Sequence, residues 1–351
     1  MSDNINVLVT SIGNIGVGNQ ILNALRLSNM NLTIIGTDVS DFNIPQKELD
    51  FFYKVSYAHS VNYEKEMLGI ISKHNVNIVF VGSEQEYIYF SANRKIYNGM
   101  GVFLAINSSE MAKIGFNKFN TYNRLNKAGI KIPQYCKIND ANDYKNITFY
   151  PAIIKPNINS SSSQNVFIDF DAQDAKGFIQ YMLKLNIDTI AQEYVGDCYS
   201  EHTIEVTSDM KGHILGTFII RRNFNSAISY KNKITKDKKD YLISSGITQG
   251  EVIHDEYIKE QAEEIARVLG SKGPLNIQAM FVNQELLTIE VHPMITGSVY
   301  IRALAGYNEP ENIIKKEILN ENVTYEYRNL KVVRKLVNKI YEEEEKNDQI
   351  M

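Results

Sequence analysis

Between Leu275 and Gly306 the chain reads LNIQAMFVNQELLTIEVHPMITGSVYIRALAG. Two apolar-rich runs, Leu275–Phe281 and Leu286–Val291, joined across Asn283-Gln284-Glu285, predict a β-hairpin. Side chains alternate along a strand, so the register decides which residues share a face. If the loop has an odd number of residues and sets Asn283 opposite Glu285, then Gln278 lies opposite Glu290, and His292 follows on the same face. Ile277, Ala279, Phe281, Ile289 and Val291 then form the other, apolar face. One side of the ribbon would enter a core, and the other would carry a carboxylate, an amide oxygen and an imidazole. Most ribbons of this pattern merely wet their polar face. Here Glu290-Val291-His292-Pro293 runs straight into a Gly-containing loop with Arg302 beyond, which points to a site.

The 351 residues exceed one ordinary core and predict two or three domains. An apolar share of 44%, a charged share of 22% and a formal net charge of −4 describe a soluble globular protein. That mildly acidic balance argues against nucleic acid or an anionic membrane as partner. Cys136 and Cys198 offer neither a disulfide framework nor metal-ligand spacing, which fits a reducing compartment. The start MSDNIN carries no basic-then-apolar signal, and no apolar run approaches membrane-spanning length. A cytoplasmic location is expected. There is no internal repeat, and the serine run and acidic tail are the only biased segments.

Asn6–Thr10 reads as a buried strand, followed by a glycine-bearing turn at Gly13, Gly16 and Gly18. A helix with Val17, Ile21 and Leu25 on one face comes next, then a strand from Leu32 to Asp38. This βαβ start could hold a dinucleotide, with Asp38 on the ribose, but its spacing is G-x-x-G-x-G and glycines also serve close packing. Ile78–Val81 leads to Gly82-Ser83-Glu84-Gln85-Glu86, where Ser83 caps a helix, Glu86 completes a capping box and substrate contact is a possible addition. After the strand Val102–Ile106, one helix is expected over Glu110–Ala128, closed by Gly129.

Lys118 lies in that helix, where a lone lysine is ordinarily a solvated charge. Lys155 is different: it ends the apolar strand Pro151–Lys155 before Pro156, and a lysine there is desolvated unless it meets an anion. Serines 160 to 163 then form a glycine-free loop, in which positive φ is costly. After the helix Ala172–Leu185, a strand-to-linker runs through Gln192, Glu193, Tyr194 and Val195. Alternation in the next strand puts Glu201, Thr203 and Glu205 on one face. Ile214–Arg222 ends in Arg221-Arg222, which point oppositely. Asn223–Gly250 reads as a mobile connection. Helices are expected over Tyr257–Leu269, Glu311–Leu319 and Val332–Glu345.

Taken together, Asn117-Lys118, Lys155, the serine loop, the Gln192–Val195 linker, and Gln278 with Glu290-Val291-His292-Pro293-Met294 resemble the ordered motifs of the ATP-grasp ligases, carbamoyl-phosphate-synthetase-like branch. The resemblance runs from about Asn6 to about Glu311. It departs at His292, where Asn is expected, at Met294, where Arg is expected, and in the glycine-free loop. It implies an α/β ATP-grasp fold with a Rossmann-like front domain over 1–108, two α+β lobes over 109–190 and 191–310 enclosing the nucleotide, and a helical tail over 311–351.

The resemblance further implies roles. Lys118 and Lys155 would hold ATP phosphates under Ser161 and Ser162; Gln192, Glu193, Tyr194 and Val195 would border adenine; Glu201 would reach the ribose. Gln278, Glu290 and His292 would hold Mg²⁺ or Mn²⁺. Arg302 would orient the carboxylate or its acyl phosphate, and Arg221 stands for the basic residue near the phosphates. The implied activity is ADP-forming, amide-forming ligation of a small-molecule or sugar-linked carboxylate and an amine, compatible with a homodimer. Two alternatives stand beside it: an ATP-binding protein of this fold with weakened chemistry, and an NAD-dependent oxidoreductase.

Overall fold

The computed structural model describes residues 4–13, 16–42, 48–158, 163–197, 199–323 and 325–335. Its strands are β1 (Ile5–Thr10), β2 (Leu32–Asp38), β3 (Phe51–Lys54), β4 (Ile78–Phe80), β5 (Phe103–Leu104), β6 (Tyr135–Ile138), β7 (Ala152–Pro156), β8 (Phe167–Asp169), β9 (Thr189–Glu193), β10 (Glu201–Ser208), β11 (Ile214–Arg222), β12 (Tyr230–Lys236), β13 (Lys239–Ser244), β14 (Gly250–Ile253), β15 (Pro274–Val282), β16 (Glu285–His292) and β17 (Leu330–Val332). They form a five-stranded sheet β3-β2-β1-β4-β5, a four-stranded sheet β6-β9-β7-β8, a six-stranded sheet β16-β15-β10-β11-β14-β17 and the ribbon β12-β13.

The front sheet is parallel, and its inner strands β1 and β4, with the middle of β2, are buried as their continuous apolar runs require. Its glycines serve packing. A Cβ on Gly18 or on Gly82 would come within 2.2 Å of the Thr10 carbonyl, so only glycine lets the helix Val17–Arg26 and the end of β4 close on β1. The Asp38 carboxylate accepts from the Gly13 N–H (2.9 Å) and the Ser40 N–H (3.0 Å), which fixes the first turn. Ser83 caps the helix Glu84–Ala92 as expected. Glu86, however, does not bond the Ser83 backbone. It accepts from the hydroxyls of Thr10, Ser11, Ser83 and Tyr63 at 2.6–2.8 Å, a buried carboxylate fully served by neutral donors.

The six-stranded sheet packs one face on the helix Glu256–Leu269, through Ile204, Val206, Ile277 and Val291 against Ile258, Ala262 and Ile265. Gly270, at φ 71°, closes that helix in the left-handed conformation. Met294 enters one front-sheet core, and Ile295 and Val299 enter the other, so the chain leaving β16 runs under the front sheet.

Three expectations change. The helix predicted over Glu110–Ala128 is two helices, Ser109–Gly115 and Lys118–Lys127. Gly115 abuts Pro293, where a Cβ would sit 2.8 Å from the proline ring, and Asn117 starts the second helix by accepting from the Asn120 N–H. Asn223–Gly250, read as a mobile connection, contains the paired strands β12 and β13. Within the helical tail, Glu309–Ile313 and Ile314–Ile318 are helical, but Leu330–Val332 is strand β17 on the edge of the large sheet; its apolar-Lys-apolar alternation suits that edge. The remainder of the expected Val332–Glu345 helix lies outside the described residues beyond 335. Among the described residues no helix is long and apolar enough to cross a membrane.

Candidate active site

The hairpin β15–β16 has the expected facing pair, Gln278 opposite Glu290, and also sets Asn276 opposite His292. The route to them differs. The turn is the two-residue Asn283-Gln284, both at positive φ (51° and 64°), which sets Val282 opposite Glu285. That even loop alone would shift the pairing by one residue. A β-bulge restores it: Ala279 faces Thr288 and Gln278 faces Glu290, leaving Ile289 extra. Ile289 therefore leaves the apolar face assigned to it and lines a groove. Its carbonyl is released from the ladder and accepts from Lys155 Nζ (3.2 Å) and the Tyr122 hydroxyl.

This groove lies between the four- and six-stranded sheets and the ribbon. Lys155, Gln192, Glu193, Tyr194, Val195 and Glu201 line one part of it, with Gln278, Met280, Ile289 and Glu290 opposite and Leu242–Ser244 of β13 over it. The ribbon is fastened there. The Leu242 N–H donates to the Tyr194 hydroxyl (3.0 Å), and Lys231 Nζ donates to the Ser163 carbonyl (2.9 Å). Ser163 and Asn165 both adopt φ 53°, so the glycine-free loop does contain left-handed backbone. Ser161 and Ser162 lie outside the described residues.

Lys155 is 8% exposed, and among the described residues its side-chain nitrogen bonds two neutral acceptors, the Ile289 carbonyl and the Tyr122 hydroxyl (3.2 Å each). Burial lowers its pKa to about 7, with Glu290 opposing and Lys118 assisting. Lys118 is also buried, at 7%, and pairs with Glu290 at 2.8 Å, so it is no solvated helix charge. His292 Nε2 approaches the same Glu290 oxygen at 3.5 Å. Burial works against ionising Glu290, but Lys118, His292 and Lys155 outweigh it and hold the carboxyl well below the usual range. From the front domain, Glu84 faces this cluster: burial raises its pKa, His292 and Lys118 oppose, and Glu290 assists.

Other expected residues are engaged within the protein. The Glu193 carboxylate accepts from the Gln134 N–H at 3.2 Å, and the Gln192 side-chain amide lies 2.7 Å from the Tyr122 hydroxyl. Glu201 pairs with Arg222 at 2.6 Å, and Arg222 also donates to Ser244 Oγ in the groove. Arg222 thus stands on the groove side. Arg221, the residue expected near the phosphates, points the other way and pairs with Glu251, half-exposed. Arg302 is not in the groove either. It is 1% exposed, bonded to Glu205 and Glu309 at 2.6 Å each and to Ser298 Oγ, so its charge is already met by two carboxylates of the protein. Its position on the buried side of the helix Val299–Ala305 is the reason.

Tyr122 is the residue that sequence reasoning missed. It ties Gln192, Lys155 and the bulged Ile289 carbonyl together. The signal that could have found it is general: a buried tyrosine hydroxyl requires polar partners. The donor set around Glu290 is one carboxylate, one amide and one imidazole, and no group of three or more His, Cys, Asp or Glu arranged to hold a metal occurs among the described residues. Such a set fits a divalent ion only if phosphate oxygens complete the shell.

Among curated proteins, none is significantly similar to the chain in sequence. Several solved structures share its fold. The L-amino acid ligase from Bacillus licheniformis matches with 14% identity and a TM-score of 0.63 over 90% of this chain and 74% of that one. The biotin carboxylase domain of Hydrogenobacter thermophilus 2-oxoglutarate carboxylase, in complex with MgADP and bicarbonate, gives 13% and 0.65 over 92% and 71%. D-alanine–D-alanine ligase from Bacillus anthracis gives 13% and 0.60 over 91% and 98%. The family model of the ATP-grasp domain matches residues 116–298, just over half the chain and the stretch that carries both lysines, the linker and the bulged hairpin, and the chain belongs to the ATP-grasp family.

Proposed function

We propose that the protein is an ADP-forming ligase that joins a carboxylate to an amine. The γ-phosphoryl group of ATP passes to the carboxylate, giving an acyl phosphate and ADP; the amine then attacks the acyl carbon, phosphate leaves and an amide forms. Such chemistry needs positioning and charge neutralisation more than a protein nucleophile. The observation that carries this reading is Lys155, a buried lysine in the groove whose hydrogen-bond acceptors among the described residues are neutral. An anion stabilises it there, and a phosphate supplies one. The L-amino acid and D-alanine–D-alanine ligases of the same fold support the amide-forming direction.

In this reading Lys155 and Lys118 hold phosphates. The Gln192–Val195 backbone borders adenine, and Glu201, held by Arg222, faces the ribose. A bound Mg²⁺ or Mn²⁺ would neutralise phosphate charge, and Gln278, Glu290 and His292 are the residues that would hold it. Lys118 already pairs with Glu290 Oε1 at 2.8 Å. That pairing also favours the second reading, an ATP-binding protein with weak chemistry, which single-turnover ADP release separates from a ligase. A panel of carboxylates and amines scored by ADP formation tests the ligase directly.

ATP with a divalent metal is expected to raise the melting temperature clearly at saturation, whereas NAD and NADP are not, since Asp38 already serves Gly13 and Ser40. A shift with NAD alone would return the oxidoreductase to consideration. His292 gives a second test. Nitrogen is a better ligand for Mn²⁺ than for Mg²⁺, so the wild type is expected to form more ADP with Mn²⁺, and His292→Asn to move the preference towards Mg²⁺. An unchanged metal preference would place His292 outside the metal's shell.

A further inference from the structure

A buried guanidinium is normally neutralised by a carboxylate. Arg222 has Glu201, and Arg302 has Glu205 and Glu309. Arg334, largely buried, has neither. Its Nη1 donates to Gln20 Oε1 (2.8 Å), its Nη2 to the Gly297 carbonyl (2.8 Å) and its Nε to the Thr248 carbonyl (3.4 Å). No carboxylate among the described residues pairs with it, and the only titratable group acting on its charge is Tyr300. Arg94 also meets carbonyls alone, but those of Ile106 and Asn107 belong to one turn that it closes. The three acceptors of Arg334 come from three separate segments: the first helix of the front domain, the loop that leaves β16, and the turn before β14.

Arg222 pairs with Gly250, and Gly250 with Val332, so Val332 takes the sheet face that carries Arg222, and Arg334 follows two residues later, just past the end of β17. β16 and β17 are opposite edges of the sheet, so Arg334 cannot share the phosphates with Lys118 and Lys155. Yet Gly297 lies five residues past His292, which keeps the Gly297 carbonyl within about 17 Å of the end of β16. A guanidinium has five N–H donors; three are used here, and one on each Nη nitrogen remains.

We propose that Arg334 anchors a carboxylate of the substrate remote from the bond being made, as the free carboxylate of an amino acid serving as the amine would be. This rests on the ligase reading above. Planar, permanently charged and braced from three sides, Arg334 would accept such an oxyanion and reject a neutral amide in its place.

The test uses the full chain saturated with ADP and Mg²⁺. Calorimetric titration with glutarate as the carboxylate probe is expected to show binding to wild type, and Arg334→Met to weaken it by about 30-fold. Arg334→Lys should retain part of the affinity, because its charge remains. ADP affinity should stay within about twofold in both variants, since the nucleotide groove is untouched. A merely structural Arg334 would lower the melting temperature without altering glutarate affinity, and that result, or no glutarate binding by wild type, would overturn the proposal. Turnover then separates the two claims. Amino acids should support ADP formation and their carboxamides should not, with Arg334→Met erasing the difference. Glutarate binding that needs Arg334 in a protein without turnover would leave the anion site standing and remove the ligase; turnover with acid-over-amide preference intact in Arg334→Met would do the reverse.

Discussion

At pH 8 the wild-type protein is expected to take up about one proton on binding ATP, and Lys155→Met to take up none while binding at least ~100-fold more weakly. The cause is the place of Lys155 at the end of β7, where burial lowers its pKa to about 7 and its partners are a carbonyl and a phenol. Phosphate oxygens favour the ammonium, so binding above pH 7 must bring a proton with it. Apparent ATP affinity should therefore fall by up to about tenfold per pH unit above 7 in wild type and stay flat in the variant. Without nucleotide the sign reverses. A lysine whose folded pKa lies below its unfolded value costs stability fully below pH 7, and that cost fades as pH rises towards 10.5. The nucleotide-free Lys155→Met protein should then be no less stable than wild type at neutral pH. Calorimetry in buffers of different ionisation enthalpy measures the proton; a buffer-independent wild-type enthalpy at pH 8 would remove Lys155 from the phosphate site.

Lys118→Ala is a different case. Read as a helical lysine, Lys118 would be surrounded by water, and its loss would matter less than that of Lys155. It is instead buried against Glu290 at 2.8 Å. Its removal strands that carboxylate, so the two lysines should differ in nucleotide-free stability more than in affinity.

The parts legible in the sequence were those with a local signal. Alternation in Glu201–Val206 and in the hairpin strands located the polar face, and a strand-ending lysine before proline located Lys155. The Gln278–Glu290 pairing followed from an odd loop, whereas the chain combines an even loop with a bulge at Ile289. Nothing in LLTIEVH marks the bulge. It arises where Lys155 and Tyr122 draw the Ile289 carbonyl out of the ladder, and both lie more than a hundred residues away. The ribbon β12-β13 failed for another reason. Its Lys- and Asp-rich stretch looks like linker by composition, but Asp240 pairs with Lys233, and Tyr194 and Ser163 fasten it over the groove. The split near Gly115 needed knowledge of Pro293 across the interface. Arg221 and Arg222 could be told apart only by which one meets Glu201.

Arg302→Met is expected to be the most destabilising single change considered, by about 3–5 kcal/mol. The guanidinium is fully buried and bridges Glu205 of β10 and Glu309 at the start of the next helix, with 2.6 Å bonds to each. It therefore ties the six-stranded sheet to the segment that leaves the hairpin. Methionine fills much of the space but leaves two carboxylates in a water-poor interior. Burial already raises the Glu205 pKa well above the usual range, although Arg302 opposes this and Asn276 also helps the ionised form; Glu309 adds to the rise. Without Arg302 it must rise further. A carboxyl with a raised folded pKa loses stability as pH climbs, so the deficit of the variant should be largest near pH 8 and shrink towards pH 5. Adding Glu205→Gln should recover part of it, because the amide needs no counter-charge. Urea unfolding of the single and double variants across that range supplies the measurement. A stable Arg302→Met protein that binds ATP normally yet forms no ADP would show instead that Arg302 leaves its carboxylates to meet the substrate, which the buried pairing opposes.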